Sequence, residues 1–162
     1  MAERRYWLFK SEPTNYSFQD LLGEEDRTAE WDGVRNYQVR NFMRDEMKVG
    51  DGVLFYHSSA KPTAVMGTAT VVKEAYPDST AWEPGAKYYD PKSNPDDPTW
   101  LMVDILADQE FNRPVTLQEI KKNPKLQGMM VVKRGVRISI QPVSKEDWDE
   151  IIALGMEGQP NS

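Results

Sequence analysis

Trp31, Gly33, Arg35, Asn36, Arg40 and Asn41 fall within the eleven residues WDGVRNYQVRN. An indole offers a flat stacking surface, arginines offer rigid planar donors, and carboxamides both donate and accept. Together they suit a flat polar heterocycle. Gly33 permits a bend or a close backbone approach. Asn36 is placed to cap a helix over about 36–45, with Arg40 and Asn41 in its second turn. An N-capped surface helix beside a buried Trp would explain the same letters.

A second polar set stands at predicted strand ends. Tyr6-Trp7-Leu8-Phe9 reads as a strand stopped by Pro13, and Lys10, Ser11 and Glu12 lie at its exit. Gly52 to His57 reads as a buried strand ending in Ser58, and Arg137 and Ser139 lie on a later one. Trp7, Tyr56, His57 and Val34 complete the candidates for one rim. His57 is the only histidine and there are no cysteines, which leaves no conventional zinc site or thiol chemistry. No phosphate-binding glycine loop and no G-x-S-x-G elbow occurs, so no cofactor is expected. Arginines and lysines at the rim, Arg35, Arg40 and Lys61, would meet phosphates flanking a captured base.

The elements that must position these groups follow from periodicity. Ser17 with Asp20 forms a capping box opening a short helix, and Glu24 to Glu30 reads as a loop. Ala64 to Val72 pairs with Gly52–His57 as a hairpin, with small Gly67 and Ala69 on one face. Residues 74–98 carry five prolines and read as an irregular connection that is functional or mobile. Trp100 to Leu106 is a strand, Thr116 caps a short helix, and Met129–Val132 and Val136–Ile140 read as strands. Ser144 caps a last helix ended by Gly155. The expected fold is one α+β domain over 1–156: a small curved, mostly antiparallel β-barrel with short helices at its ends. Residues 157–162 are expected to be a disordered tail.

A net charge of −6 opposes long-range attraction to nucleic acid. The charge is uneven, however: residues 113–137 hold seven Lys/Arg against Glu119 alone. No apolar run matches a signal peptide or a membrane span, so a cytoplasmic protein with no membrane partner is expected.

The segments YWLFKSEP (6–13), WDGVRNYQVRNFM (31–43), KVGD (48–51), FYHS (55–58), AYPD (75–78), YYDPKS (88–93) and RISIQPV (137–143) resemble, in order, the motifs of the EVE domain family. The resemblance implies a PUA-like fold similar to YTH domains and a reader of modified bases, notably modified cytosine in DNA. It implies a nucleic acid carrying a modified base as partner. Ser59 stands where the family often has Asn. The residues leave three alternatives: an enzyme acting on a modified nucleotide or nucleic acid with His57 or Glu12 moving protons, an RNA-binding module, and a protein-interaction domain.

Overall fold

The computed structural model describes residues 4–157. Its centre is β3 (Gly52–His57), buried at every position. It pairs in parallel with β1 (Tyr6–Ser11) and antiparallel with β4 (Ala64–Pro77). Outward from β4 lie β5 (Leu101–Thr116) and then β2 (Thr28–Trp31). Beyond β1 lies β6 (Ile140–Val143). Every pairing except β1–β3 is antiparallel.

Strand alternation divides the core between two faces of this sheet. Trp7, Phe9, Val53, Phe55 and Ile105 pack with Phe18 and Leu21 of α1 (Phe18–Leu22) and with Val39 and Met43 of α2 (Tyr37–Asp45). Leu8, Leu54, Tyr56 and Val115 pack with Ile120 of α3 (Leu117–Lys122) and with Trp148 and Ile151 of α4 (Lys145–Gly155). The helix starts are those read from the caps. Ser17 and Asp20 close a reciprocal capping box, and the Asn36, Thr116 and Ser144 side chains each accept a backbone N–H three residues on.

The fold is α+β as expected, but the sheet is open. β2 and β6 are its two edges and do not pair with each other, so it does not close into a barrel. Register shifts along β4 and β5 break the ladder repeatedly, which bends long strands locally. The small residue at Gly67 admits Phe18: a Cβ there would stand 2.5 Å from the Phe18 ring and from the Gln109 carbonyl.

Several boundaries differ from the sequence reading. β4 continues to Pro77 and β5 runs from Leu101 to Thr116. Glu24–Glu30 is not all loop, because β2 begins at Thr28. Met130–Val132 is a 3₁₀ turn rather than a strand, and the last strand starts only at Ile140. Apolar side chains in the 129–132 run pack against the α3–α4 face from a turn, which periodicity alone cannot distinguish from a strand. Residues 158–162 of the expected tail lie outside the described residues, and Glu157 is held by Arg113 at 3.0 Å.

Candidate functional site

The ends of β1, β2 and β3 and the approach to β6 meet around an open cleft of about 720 Å³. Backbone hydrogen bonds assemble one side. The Lys10 N–H donates to the Ser139 carbonyl at 2.8 Å, and the Ser58 N–H donates to the Ser11 carbonyl at 3.0 Å. Residues distant in sequence are thereby set side by side: Lys10 and Ser11 from β1, Ser58 after β3, and Arg137 and Ser139 before β6. Burial pushes the Lys10 ammonium below the ordinary lysine range.

Trp31, the last residue of β2, forms another wall and is half-buried. Its ring lies 5.3 Å from Phe9, 5.6 Å from Phe55 and 6.1 Å from Tyr16 between centroids. Aromatic edges fix the indole from within while part of it faces the cleft. Such a side chain is a pre-set stacking platform.

The 31–36 segment is held from below by Asp78. This fully buried carboxylate accepts the Gly33 N–H at 2.9 Å and the Arg35 guanidinium at 3.0 Å. Burial alone would raise the Asp78 carboxyl. The Thr80 hydroxyl, the Gly33 N–H and Arg35 outweigh it and hold the group below the usual aspartate range. Arg35 also donates to the Tyr88 carbonyl from Nε at 3.0 Å and Nη2 at 2.6 Å. Gly33 has φ +81, and a Cβ there would stand 2.6 Å from the Tyr88 ring. Glycine is required at this position on both counts.

Of the sequence candidates, Lys10, Ser11, Glu12, Trp31, Val34, Arg35, Ser58, Arg137 and Ser139 line the cleft. Six others do not. Trp7 is core, its indole N–H donating to the buried Asp51 carboxylate at 3.0 Å. Tyr56 is buried on the opposite face of the sheet. His57 is buried and accepts the Phe18 N–H on Nε2 at 3.0 Å, a structural bond that tethers α1. Asn36 is occupied as the α2 cap, accepting the Val39 N–H at 3.0 Å. Asn41 accepts both Nε and Nη2 of Arg40, and Arg40 also reaches the Thr99 carbonyl. Arg40 borders a separate, smaller cavity of about 340 Å³ between α2 and the β4–β5 ends. Arg35 and Arg40, expected to meet phosphates, are thus both engaged by partners within the protein. Lys61 sits on the β3–β4 turn and does not line the cleft.

Sequence reasoning passed over Asp32, Tyr88, Lys87, Asn15, Tyr16, Glu24 and Glu30, all of which line the cleft. The aromatic content of the proline-rich 74–98 stretch was the available signal for Tyr88. Asp32 is exposed as a residue, yet its carboxyl is pushed above the ordinary range, first by desolvation in the cleft and then by the neighbouring Asp78 charge. Among the described residues, neither Lys10 nor Arg137 forms an ion pair.

A family model of the EVE domain matches residues 5–154. Mouse thymocyte nuclear protein 1 is 41% identical over 166 residues, covering 92% of this chain and 73% of that protein. A Leishmania major protein of known structure superposes with a TM-score of 0.90 at 43% identity, covering 97% of this chain and 98% of that one. Human thymocyte nuclear protein 1 (THYN1), crystallised in complex with DNA containing 5-methylcytosine, superposes with a TM-score of 0.87 at 39% identity, over 96% of this chain and 99% of that one. On the span of the family match and the identity to these relatives, this chain belongs to the EVE domain family.

Proposed function

We propose that this protein is a non-catalytic module that captures a modified base, a modified cytosine in DNA, in the Trp31 cleft, with residues 1–156 acting as one unit. The observation that carries the reading is the convergence on one open cleft of the Trp31 ring, the Ser11, Ser58 and Ser139 positions, and Lys10 and Arg137, which form no ion pair among the described residues. The human relative crystallised with 5-methylcytosine-containing DNA supports the choice of ligand.

The chemistry follows from the lining. A base stacked in a duplex cannot present its face to Trp31, so it must be extruded, at a cost of a few kcal/mol. Stacking on an aromatic returns roughly 1–3 kcal/mol. Carboxylates accept from the exocyclic amine of cytosine, and Glu12 and Asp32 supply them at the cleft. The Ser58 and Ser139 hydroxyls can donate or accept as the base edge demands, whereas the Ser11 hydroxyl donates to the Tyr16 carbonyl and can offer a base only its lone pairs. Lys10 and Arg137 take the flanking phosphates. The cleft volume falls within the usual range for small-ligand sites, about 300–1,000 Å³.

The test is a titration of fluorescent duplexes and single strands that carry cytosine, 5-methylcytosine or further modified cytosines at one position. Matched RNA strands and an assay for base release or strand cleavage accompany it. Tighter binding of a modified-cytosine DNA, without product, is the expected result. Equal affinity for modified and unmodified cytosine refutes the modified-base reading, tighter binding of RNA moves the function to RNA, and turnover makes the protein an enzyme.

A further inference from the structure

We infer that Tyr88 is the second aromatic face of this base site, opposing Trp31, and that the otherwise irregular 78–100 connection exists in part to carry it. The inference rests on the reading proposed above and names a residue that discriminates within it.

Three observations bear on it. First, Tyr88 and Trp31 line the same cleft. The Tyr88 ring lies directly against Gly33, two residues from Trp31, so the two rings flank the same short stretch of backbone. The end of β2 and the β4–β5 connection thus each bring one aromatic ring to a single cleft. Second, the position of Tyr88 is over-determined for a surface loop. Arg35 grips its carbonyl with two N–H groups and is itself braced by the buried Asp78. An irregular segment whose only role was to connect β4 to β5 would not need a buried carboxylate to fix one carbonyl. Third, the wall continues to the mouth. The neighbouring Lys87 reaches across to the Asn15 side chain at 3.2 Å, an exposed bond that a ligand can displace. Glycine at 33 is then explained by function as well as by φ, because any larger residue would drive the ring out of place.

The experiment compares wild type, Tyr88→Ala, Tyr88→Phe and Gly33→Ala on two duplexes that differ at one position, 5-methylcytosine or an abasic site. Melting curves check that each variant is folded. Loss of one stacking face should weaken binding to the 5-methylcytosine duplex by about ten-fold or more for Tyr88→Ala. Tyr88→Phe keeps the ring and should bind like wild type. Gly33→Ala, which displaces the ring without removing it, should resemble Tyr88→Ala. On the abasic duplex all four proteins should bind alike, since nothing is there to stack. Wild-type affinity in Tyr88→Ala on the 5-methylcytosine duplex overturns the inference while leaving the base-reading proposal standing. So does an equal loss on both duplexes, which would make Tyr88 a structural or phosphate contact. If the wild type itself does not prefer the 5-methylcytosine duplex to the abasic one, the base-reading proposal fails and this inference falls with it.

Discussion

The Arg35 guanidinium donates to the wholly buried carboxylate of Asp78 at 3.0 Å. The pair joins the loop after β2 to the segment after β4, and the Gly33 N–H shares the same carboxylate. Removing one member of a buried pair strands the other, at a cost of about 3–5 kcal/mol. Arg35 is 22% exposed and keeps the Tyr88 carbonyl, so Asp78→Ala should lower stability by at most about that amount. Acid should act on the wild type in the same way. The folded-state pKa of Asp78 is depressed, so its contribution is fully present above the unfolded aspartate value, about 3.9, and is lost as pH falls below it. Chemical denaturation from pH 6 to pH 3 should show a loss of stability in wild type that is reduced in Asp78→Asn. Identical pH profiles for the two would mean the pair does not hold the loop.

His57 carries a different pH signature. Its Nε2 accepts the Phe18 N–H, which requires the neutral ring, and burial lowers its pKa, with the Asp20 charge opposing. A depressed folded pKa contributes stability that is present above the unfolded histidine value, about 6.5, and is lost as pH falls through the folded value. Melting temperature should thus decline on going from pH 7.5 toward pH 5, and a His57→Ala variant should lack that component. The variant should also be less stable at neutral pH by about 1–3 kcal/mol, the cost of orphaning a buried N–H. Oligonucleotide affinity at low temperature should stay at the wild-type level, because the ring lies outside the cleft.

Trp31 serves both folding and binding. Its ring leans on Phe9, Phe55 and Tyr16, and aromatic pairs contribute roughly 0.5–1.5 kcal/mol each beyond buried area. Trp31→Ala should lower the melting temperature and also weaken base capture by about ten-fold to a hundred-fold. Titrations well below the melting transition separate the two effects. A melting shift accompanied by wild-type affinity in the folded protein would make Trp31 a core residue only.

The capping chemistry was legible because it is local. Ser17, Asn36, Thr116 and Ser144 each bond three residues ahead, and sequence spacing carries that information. The wall at Trp31 and the strand-end serines were legible through residue type and the family motifs. What stayed hidden depends on long-range pairing. Lys10 reaches Ser139, and Arg35 reaches Asp78 and Tyr88, across gaps that no local pattern encodes. Arg35 and Arg40 looked like free phosphate ligands because sequence shows a charge but not its partner. Tyr56 and His57 followed Phe55 on a strand buried on both faces, where alternation could not say which side met solvent. The open sheet was missed because strand count alone does not decide closure, and bends along β4 and β5 are not visible in composition.

The last prediction concerns which cations meet phosphate. Net charge −6 repels a polyanion at a distance, so binding must rest on local cations. Arg35 is committed to Asp78 and the Tyr88 carbonyl, and Arg40 to Asn41 and the Thr99 carbonyl. Lys10, Lys87 and Arg137 remain at the cleft without a carboxylate partner among the described residues. Lys121 and Lys122 lie on α3, whose buried residue Ile120 packs on the face of the sheet opposite Phe9 and Phe55. Each phosphate neutralised on duplex DNA contributes close to −0.9 to the slope of log affinity against log salt. A compact cleft holding one extruded base should give a shallow slope, corresponding to about two to four phosphates. Arg137→Ala should flatten that slope by about one contact. Arg35→Ala should leave the slope per folded molecule unchanged while lowering stability, and Lys121→Ala should change neither much. Affinities measured from 25 mM to about 200 mM salt on each variant decide this, a range over which phosphate contacts register clearly. A slope reduced by Arg35→Ala but not by Arg137→Ala would show that the Asp78 pair opens on binding and that the phosphates run along the β2 loop instead.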